Sequence, residues 1–182
     1  ILFAVAIYFS FFHENANTLN TQSTVVNDTF NSVTYNIEES FTFSLPNQYV
    51  ALTFNRGPSV YTEEILNILQ QYNYGATFFL QGNQVPLYPD LVKTLDTKGH
   101  SIGHITNNHS LLTILEIEEQ RDALIQPKEE IGQLINKEIN LVRPPFNTFN
   151  KNTISIQQEY NLKIVNSSIA LKSGNDVQAS DI

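Results

Sequence analysis

From residue 41 onward, short apolar runs alternate with stretches of helical spacing, and this alternation limits the chain to few folds. Residues 49–54, 76–80, 100–105, 141–143 and 163–168 read as strands, being apolar and bounded by Gly, Pro or Asn. Between the first two, Tyr61, Ile65, Ile68, Leu69 and Tyr72 recur at helical spacing, with Glu63 and Glu64 in the first turn where the helix dipole favours them. Leu87, Leu91 and Leu95 mark a second helix that stops at Gly99, a suitable C′ residue. Thr113-Ile-Leu-Glu116 reads as a capping box opening a long amphipathic helix through Ile135, which Pro127 is expected to kink or divide. Another helix covers about residues 153–160. Repeated strand–helix alternation means parallel strands and an α/β fold. In a closed or nearly closed barrel the strand ends converge on one face. Here they carry Asn55-Arg56, His104 to His109, and Arg143.

With 182 residues and 41% apolar content, the chain has material for one sizeable core and thus one domain. A net charge of -8 argues against a nucleic-acid partner, which requires a basic surface. The absence of cysteine excludes disulfides and thiolate metal sites.

The chain begins at Ile1, contains no methionine and stops at Asp181-Ile182, so both ends read as truncations. Ile1 to Phe12 is an apolar run broken only by Ser10, too short for a bilayer span of roughly 20 residues. With polar residues behind it, residues 1–16 read as a signal peptide that has lost its start, which predicts a secreted chain, extracellular or in the cell wall, with no stable membrane span when mature. A clipped membrane anchor or a core strand are the alternatives for this run. Residues 17–40 are Asn-, Thr- and Ser-rich and read as an irregular arm, leaving 41–182 as the folded domain. Sequons occur at Asn27, Asn108 and Asn166, as chance readily produces in an Asn-rich chain.

Tyr49-Val-Ala-Leu-Thr-Phe-Asn-Arg-Gly-Pro58 runs from an apolar strand into a polar pair and a Gly-Pro turn. Two readings fit it: a pocket mouth presenting Asn55 and Arg56, or a capped strand end with two solvated side chains.

The motifs in order are more specific. Thr53-Phe54-Asn55-Arg56-Gly57-Pro58 resembles Thr-Phe-Asp-Asp-Gly-Pro of the NodB-homology polysaccharide deacetylases, the carbohydrate esterase family 4 that includes chitin deacetylases. Ala76-Thr-Phe-Phe-Leu-Gln-Gly82-Asn83 is similar to that family's second strand. Gly99-His100-Ser101-Ile102-Gly103-His104-Ile105-Thr106-Asn107-Asn108-His109 resembles Gly-His-Glu-Ile-Gly-Asn-His-Thr-x-x-His, and Arg143-Pro144-Pro145-Phe146 resembles Arg-Pro-Pro-Tyr. The resemblance implies a distorted (β/α) barrel, here incomplete at its C-terminus, and a divalent metal, often zinc. It also implies hydrolysis of the acetamide on N-acetylglucosamine polymers by metal-bound water, with one aspartate as base and the next aspartate and two histidines holding the metal.

Carried over position by position, the chemistry is lost. The base position is Asn55, an amide that cannot accept a proton, and the metal-carboxylate position is Arg56, a permanent cation. Of the two metal histidines one falls on Ile105, leaving His109 as the surviving ligand position, whereas such sites need about three protein ligands. His104, one residue earlier, is expected to face the other side of its strand. His100 reads as a packed or capping histidine. The next family motif, Asp-Val-Asp-Ser, aligns with Ser168-Ile169-Ala170-Leu171 and lacks its acids. Arg143 and the backbone N–H of Phe146 are retained; in the family they brace the base and help stabilise the oxyanion. Pro144 and Pro145, with Arg56, are the expected substrate-contacting positions.

The expectation is a catalytically inactive deacetylase-like protein with a wall-associated or glycan-binding role, its partner chitin or a related N-acetylglucosamine polysaccharide, and no cofactor. An active hydrolase with recruited ligands, and then zinc or another divalent metal, is one alternative. A partial gene product without independent function is another.

Overall fold

The computed structural model describes residues 3–6 and 51–167. Its elements run β1 (Phe3–Ala6), β2 (Leu52–Gly57), α1 (Thr62–Gln71), β3 (Thr77–Leu80), α2 (Pro89–Thr97), β4 (Ser101–His104), α3 (Ile117–Ile135), β5 (Leu141–Val142), α4 (Lys151–Glu159) and β6 (Lys163–Ile164). Short 3₁₀ turns lie at Gly82–Leu87, Leu112–Ile114 and Pro145–Asn147.

The strands lie side by side in chain order. β2 to β6 are parallel, and β1 runs antiparallel to β2 with Phe3 opposite Asn55. Right-handed crossovers between consecutive parallel neighbours put the intervening helices on one face of the sheet. The core agrees: Leu52, Phe54, Phe78, Leu80 and Ile102 of the strands pack with Leu66 and Leu69 of α1, Val92 and Leu95 of α2, and Ile131 of α3. Val142 and Ile164 pack with Leu124 of α3 and Ile156 of α4. Phe54 and Phe78 stack at 4.9 Å between ring centres.

Strand alternation sends Thr53, Asn55, Thr77, Phe79 and Gly103 to the opposite face. That face is the inside of a curl. On a flat sheet β2 and β5, three spacings apart, would be roughly 14 Å from each other, a gap no arginine side chain bridges. Yet Arg143, immediately after β5, donates from Nη1 to Thr53 Oγ1 and Asn55 Oδ1 of β2, both at 2.8 Å. The fold is thus α/β with a parallel sheet curved as in a (β/α) barrel. Among the described residues β1 and β6 remain its two unjoined edges.

Several boundaries differ from expectation. β2 continues through Asn55 and Arg56 because its pairing with β3 shifts there: Asn55 opposes Phe79, and Gly57 opposes Leu80. Arg56 is the extra residue of this bulge, at φ 65. The capping box of α3 uses Glu116 and Glu119, not Thr113 and Glu116; Glu119 Oε2 accepts from the Glu116 N–H at 3.0 Å. Burying Leu112 and packing Leu115 against the second core bends the chain into a 3₁₀ turn before the helix starts. Pro127 does not divide α3; it lies within one helix as a buried residue. Leu87 falls in a 3₁₀ turn and is exposed, whereas Gly99 follows α2 at φ 80 as expected of a C′ glycine. α4 begins two residues earlier than expected because Asn150 caps it, accepting from the Thr153 N–H at 3.2 Å. The arm at 17–40 and residues 168–171 lie outside the described residues, as does the leader reading of 1–16 apart from β1.

Gly103 lets the inside of the curl close. A Cβ there would meet Leu141 O at 2.7 Å, Leu141 Cβ at 2.9 Å and Phe79 Cδ1 at 2.9 Å. Gly103→Ala is therefore expected to lower unfolding stability by about 1–3 kcal/mol in a urea titration. An unchanged midpoint would contradict this packing.

Candidate functional site

Backbone hydrogen bonds continue past the parallel strands and fasten their C-terminal loops together. Gln81 N–H donates to Gly57 O at 2.7 Å, Gly82 N–H to Thr106 O at 3.0 Å and Asn83 N–H to Asn107 O at 3.0 Å. Arg143 N–H donates to His104 O at 2.9 Å. Asn147 and Ser167 exchange bonds: Asn147 Nδ2 donates to Ser167 Oγ at 3.0 Å, and Ser167 N–H donates to Asn147 Oδ1 at 3.2 Å. The Asn55–Arg56, Ile105–His109 and Arg143–Phe146 segments are thereby gathered at one end of the sheet.

These loops carry strained backbone. Arg56 (φ 65), Thr106 (φ 63), His109 (φ 60), Phe146 (φ 60) and Asn147 (φ 55) all occupy the left-handed region. Each such residue costs of order 1–3 kcal/mol, and a β-branched threonine is a marked outlier there. Outliers of this kind cluster at functional sites. Sequence reading missed Thr106, whose Oγ1 accepts from the His109 N–H at 3.1 Å and fixes that turn.

Arg143 lies at the centre and is 2% exposed. Besides its Nη1 bonds to Thr53 and Asn55, its Nε donates to Val165 O at 3.0 Å, and its guanidinium lies 4.0 Å from the centre of the Phe79 ring. Its Nη2 finds no acceptor among the described residues. Burial pushes its pKa down to about 10, so it stays charged at neutral pH. The roles of Thr53, Phe79 and Val165 in seating this side chain could not be seen in the sequence, because they come from three different strands or strand ends.

Asn55 is half-buried with its Oδ1 engaged by Arg143. Arg56 is exposed. His109 is half-buried, its ring edge-on to Phe146 at 4.9 Å. Burial, and secondly the positive charge of Arg56, hold its pKa below the usual histidine value. Phe146 is 66% exposed. Pro144 and Pro145, expected to contact a substrate, are buried instead and shape the loop, because Phe146 takes the outward position of that motif.

Ile105 is buried. His104, its neighbour, takes the opposite face, as the strand period requires, and is also fully buried. Neither ring nitrogen of His104 has a partner among the described residues. Burial, aided by the charge of Lys128 on α3, pushes its pKa down to about 3. It is not a shifted metal ligand. His100 is half-buried, with its ring edge-on to Phe78 at 5.4 Å, a packed histidine.

A divalent metal does not fit this donor set. Among the described residues no three His, Cys, Asp or Glu side chains come together. The position beside His109 is a guanidinium, the interior position is aliphatic, and the Asn55 oxygen is already an acceptor for Arg143.

A family model described as polysaccharide deacetylase matches residues 44–165. The chain belongs to the polysaccharide deacetylase family. It is 34% identical over 134 residues to a peptidoglycan-N-acetylglucosamine deacetylase of Bacillus cereus, covering 73% of this chain and 49% of that protein. It is 30% identical over 129 residues to a chitin deacetylase of Pestalotiopsis sp., covering 69% and 43%. The chain thus spans about half the length, or less, of such curated relatives. Among solved structures, the Bc1960 peptidoglycan N-acetylglucosamine deacetylase superposes with a TM-score of 0.60 at 34% identity, over 63% of this chain and 54% of that one. BA3943, a family 4 pseudoenzyme from Bacillus anthracis, superposes with a TM-score of 0.58 at 25% identity, over 62% and 40%.

Two expectations follow. The native chain should hold zinc no better than a lone imidazole, while the combined variant Asn55→Asp, Arg56→Asp, Ile105→His should gain several orders of magnitude in a chelator competition. Equal affinities would contradict the donor-set argument. The second concerns His104, whose folded pKa lies below the ordinary 6.5. The unfolded chain then binds its proton more readily, so its stability contribution is intact above 6.5 and is lost towards pH 3 at about 1.4 kcal/mol per pH unit. Denaturant titrations of His104→Leu across this range should lack that slope.

Proposed function

We propose that this chain is a catalytically inactive polysaccharide deacetylase-like protein, extracellular or wall-associated, whose strand-end groove holds a glycan without hydrolysing it. The observation that carries the reading is the Arg143–Asn55 hydrogen bond. In a hydrolase of this kind the arginine braces a carboxylate that takes a proton; here it braces an amide, which has no such capacity. Arg56 then opposes a divalent cation by direct repulsion.

What remains suits binding. Amide and guanidinium donors at Asn55 and Arg56 match sugar hydroxyls and acetyl oxygens, and the exposed Phe146 ring against His109 offers a flat apolar surface to a sugar face. The related deacetylases are named for peptidoglycan and chitin, which makes N-acetylglucosamine polymers the first glycans to test. The retained strain at Thr106, His109 and Phe146 supports a surface still held in a defined shape.

Isothermal titration with chitin oligomers should show binding, and incubation with the same oligomers should release no acetate above background. Phe146→Ala should weaken binding about tenfold without altering the melting transition. Acetate release abolished by a chelator would restore the hydrolase reading, and absence of any heat would remove the glycan.

A further inference from the structure

The five donor hydrogens of Arg143 can be accounted for individually. Nε–H is taken by Val165 O, and the two hydrogens on Nη1 by Thr53 Oγ1 and Asn55 Oδ1. The Nη2 pair has no acceptor among the described residues. All these partners are neutral, and none of the ion pairs among the described residues includes Arg143. A buried cation thus lies beneath the strand ends with no counter-charge among the described residues.

Its neighbours reinforce the sign. Because Asn55 Oδ1 accepts from Arg143, the Asn55 Nδ2 group is the part of the amide left to meet a ligand, and it only donates. Arg56, next in the chain and exposed, carries a second permanent positive charge, close enough to His109 to oppose its protonation. Acidic residues are kept elsewhere: every one among the described residues lies on a helix, at the Glu116 cap, or in the turn after α3. Among the described residues the strand ends therefore carry positive groups and no acid.

We propose that the strand ends form a carboxylate site, contacted through Asn55 Nδ2 and Arg56 above the buried Arg143, whose described partners are all neutral, and that this site selects acidic glycans, those bearing a sugar carboxylate, over neutral ones. The inference rests on the glycan-binding reading for its ligand and adds the charge class. Arg143 Nη2 is itself beneath the surface, so its charge acts through the low-dielectric interior while the two outer groups make the contact.

The test compares a tetrasaccharide alternating glucuronate and N-acetylglucosamine with the neutral N-acetylglucosamine tetramer, and adds sodium acetate as a free carboxylate. At low ionic strength the acidic tetrasaccharide should bind about tenfold tighter or better, with acetate competing and salt eroding the difference. Asn55→Asp supplies Arg143 with an internal carboxylate in an isosteric frame. It should abolish the preference while leaving the melting temperature equal or higher. Arg56→Gln, at an exposed position, should reduce the preference. Equal affinity for the two sugars, or a preference that survives Asn55→Asp, overturns the carboxylate site while leaving glycan binding in place. Acetate binding lost in Asn55→Asp, with neither tetrasaccharide bound, supports the carboxylate site and removes the glycan.

Discussion

A single buried guanidinium holds the inner face of this sheet together. Arg143 links β2 through Thr53 and Asn55, the segment after β6 through Val165, and β3 through the face of Phe79. Removing such a charge from water is costly, as its depressed pKa records, and a one-sided loss of its partners would be strongly destabilising. The curvature of the sheet and the seating of this side chain are therefore the same fact. The strands must curl for the guanidinium to find its acceptors, and the guanidinium keeps them curled.

That arrangement explains how the fold accommodates an amide at position 55. The arginine that braces a base in a hydrolase requires only an oxygen acceptor in that place. Asn55 supplies one through its Oδ1, so the cross-link forms with an amide in that position. The same holds for the loops. Their hydrogen bonds run mainly between backbone groups, such as Gly82 to Thr106 and Asn83 to Asn107, and do not depend on which side chains line the mouth. The atoms that hold this scaffold are thus distinct from the side chains that line the mouth.

The residues at the strand ends also set the charge of the mouth. Two acids and a metal would make a nearly balanced site. Asn55, Arg56 and Arg143 bring positive groups and no acid, and the acids among the described residues lie on the helices, at the Glu116 cap or in the turn after α3. Burial, and secondly the charge of Arg56, lower the pKa of His109.

The alternation of strands and helices, the order of motifs and the residue types at Asn55, Arg56 and Ile105 were legible in the residues themselves, because strand period, helical spacing and side-chain chemistry are local properties. The opposite orientation of His104 and Ile105 was legible for the same reason, since one step along a strand reverses the face. Element ends were less so: the Glu116 cap, the bulge at Arg56 and the unbroken helix through Pro127 depend on which neighbours pack against them. Only the tertiary structure decided that Arg143 would meet Thr53 and Phe79, that Pro144 and Pro145 would be buried while Phe146 faced outward, and that Arg143 would have no counter-charge among the described residues. Those outcomes join residues distant in sequence, and no spacing along a chain encodes how far a sheet curls.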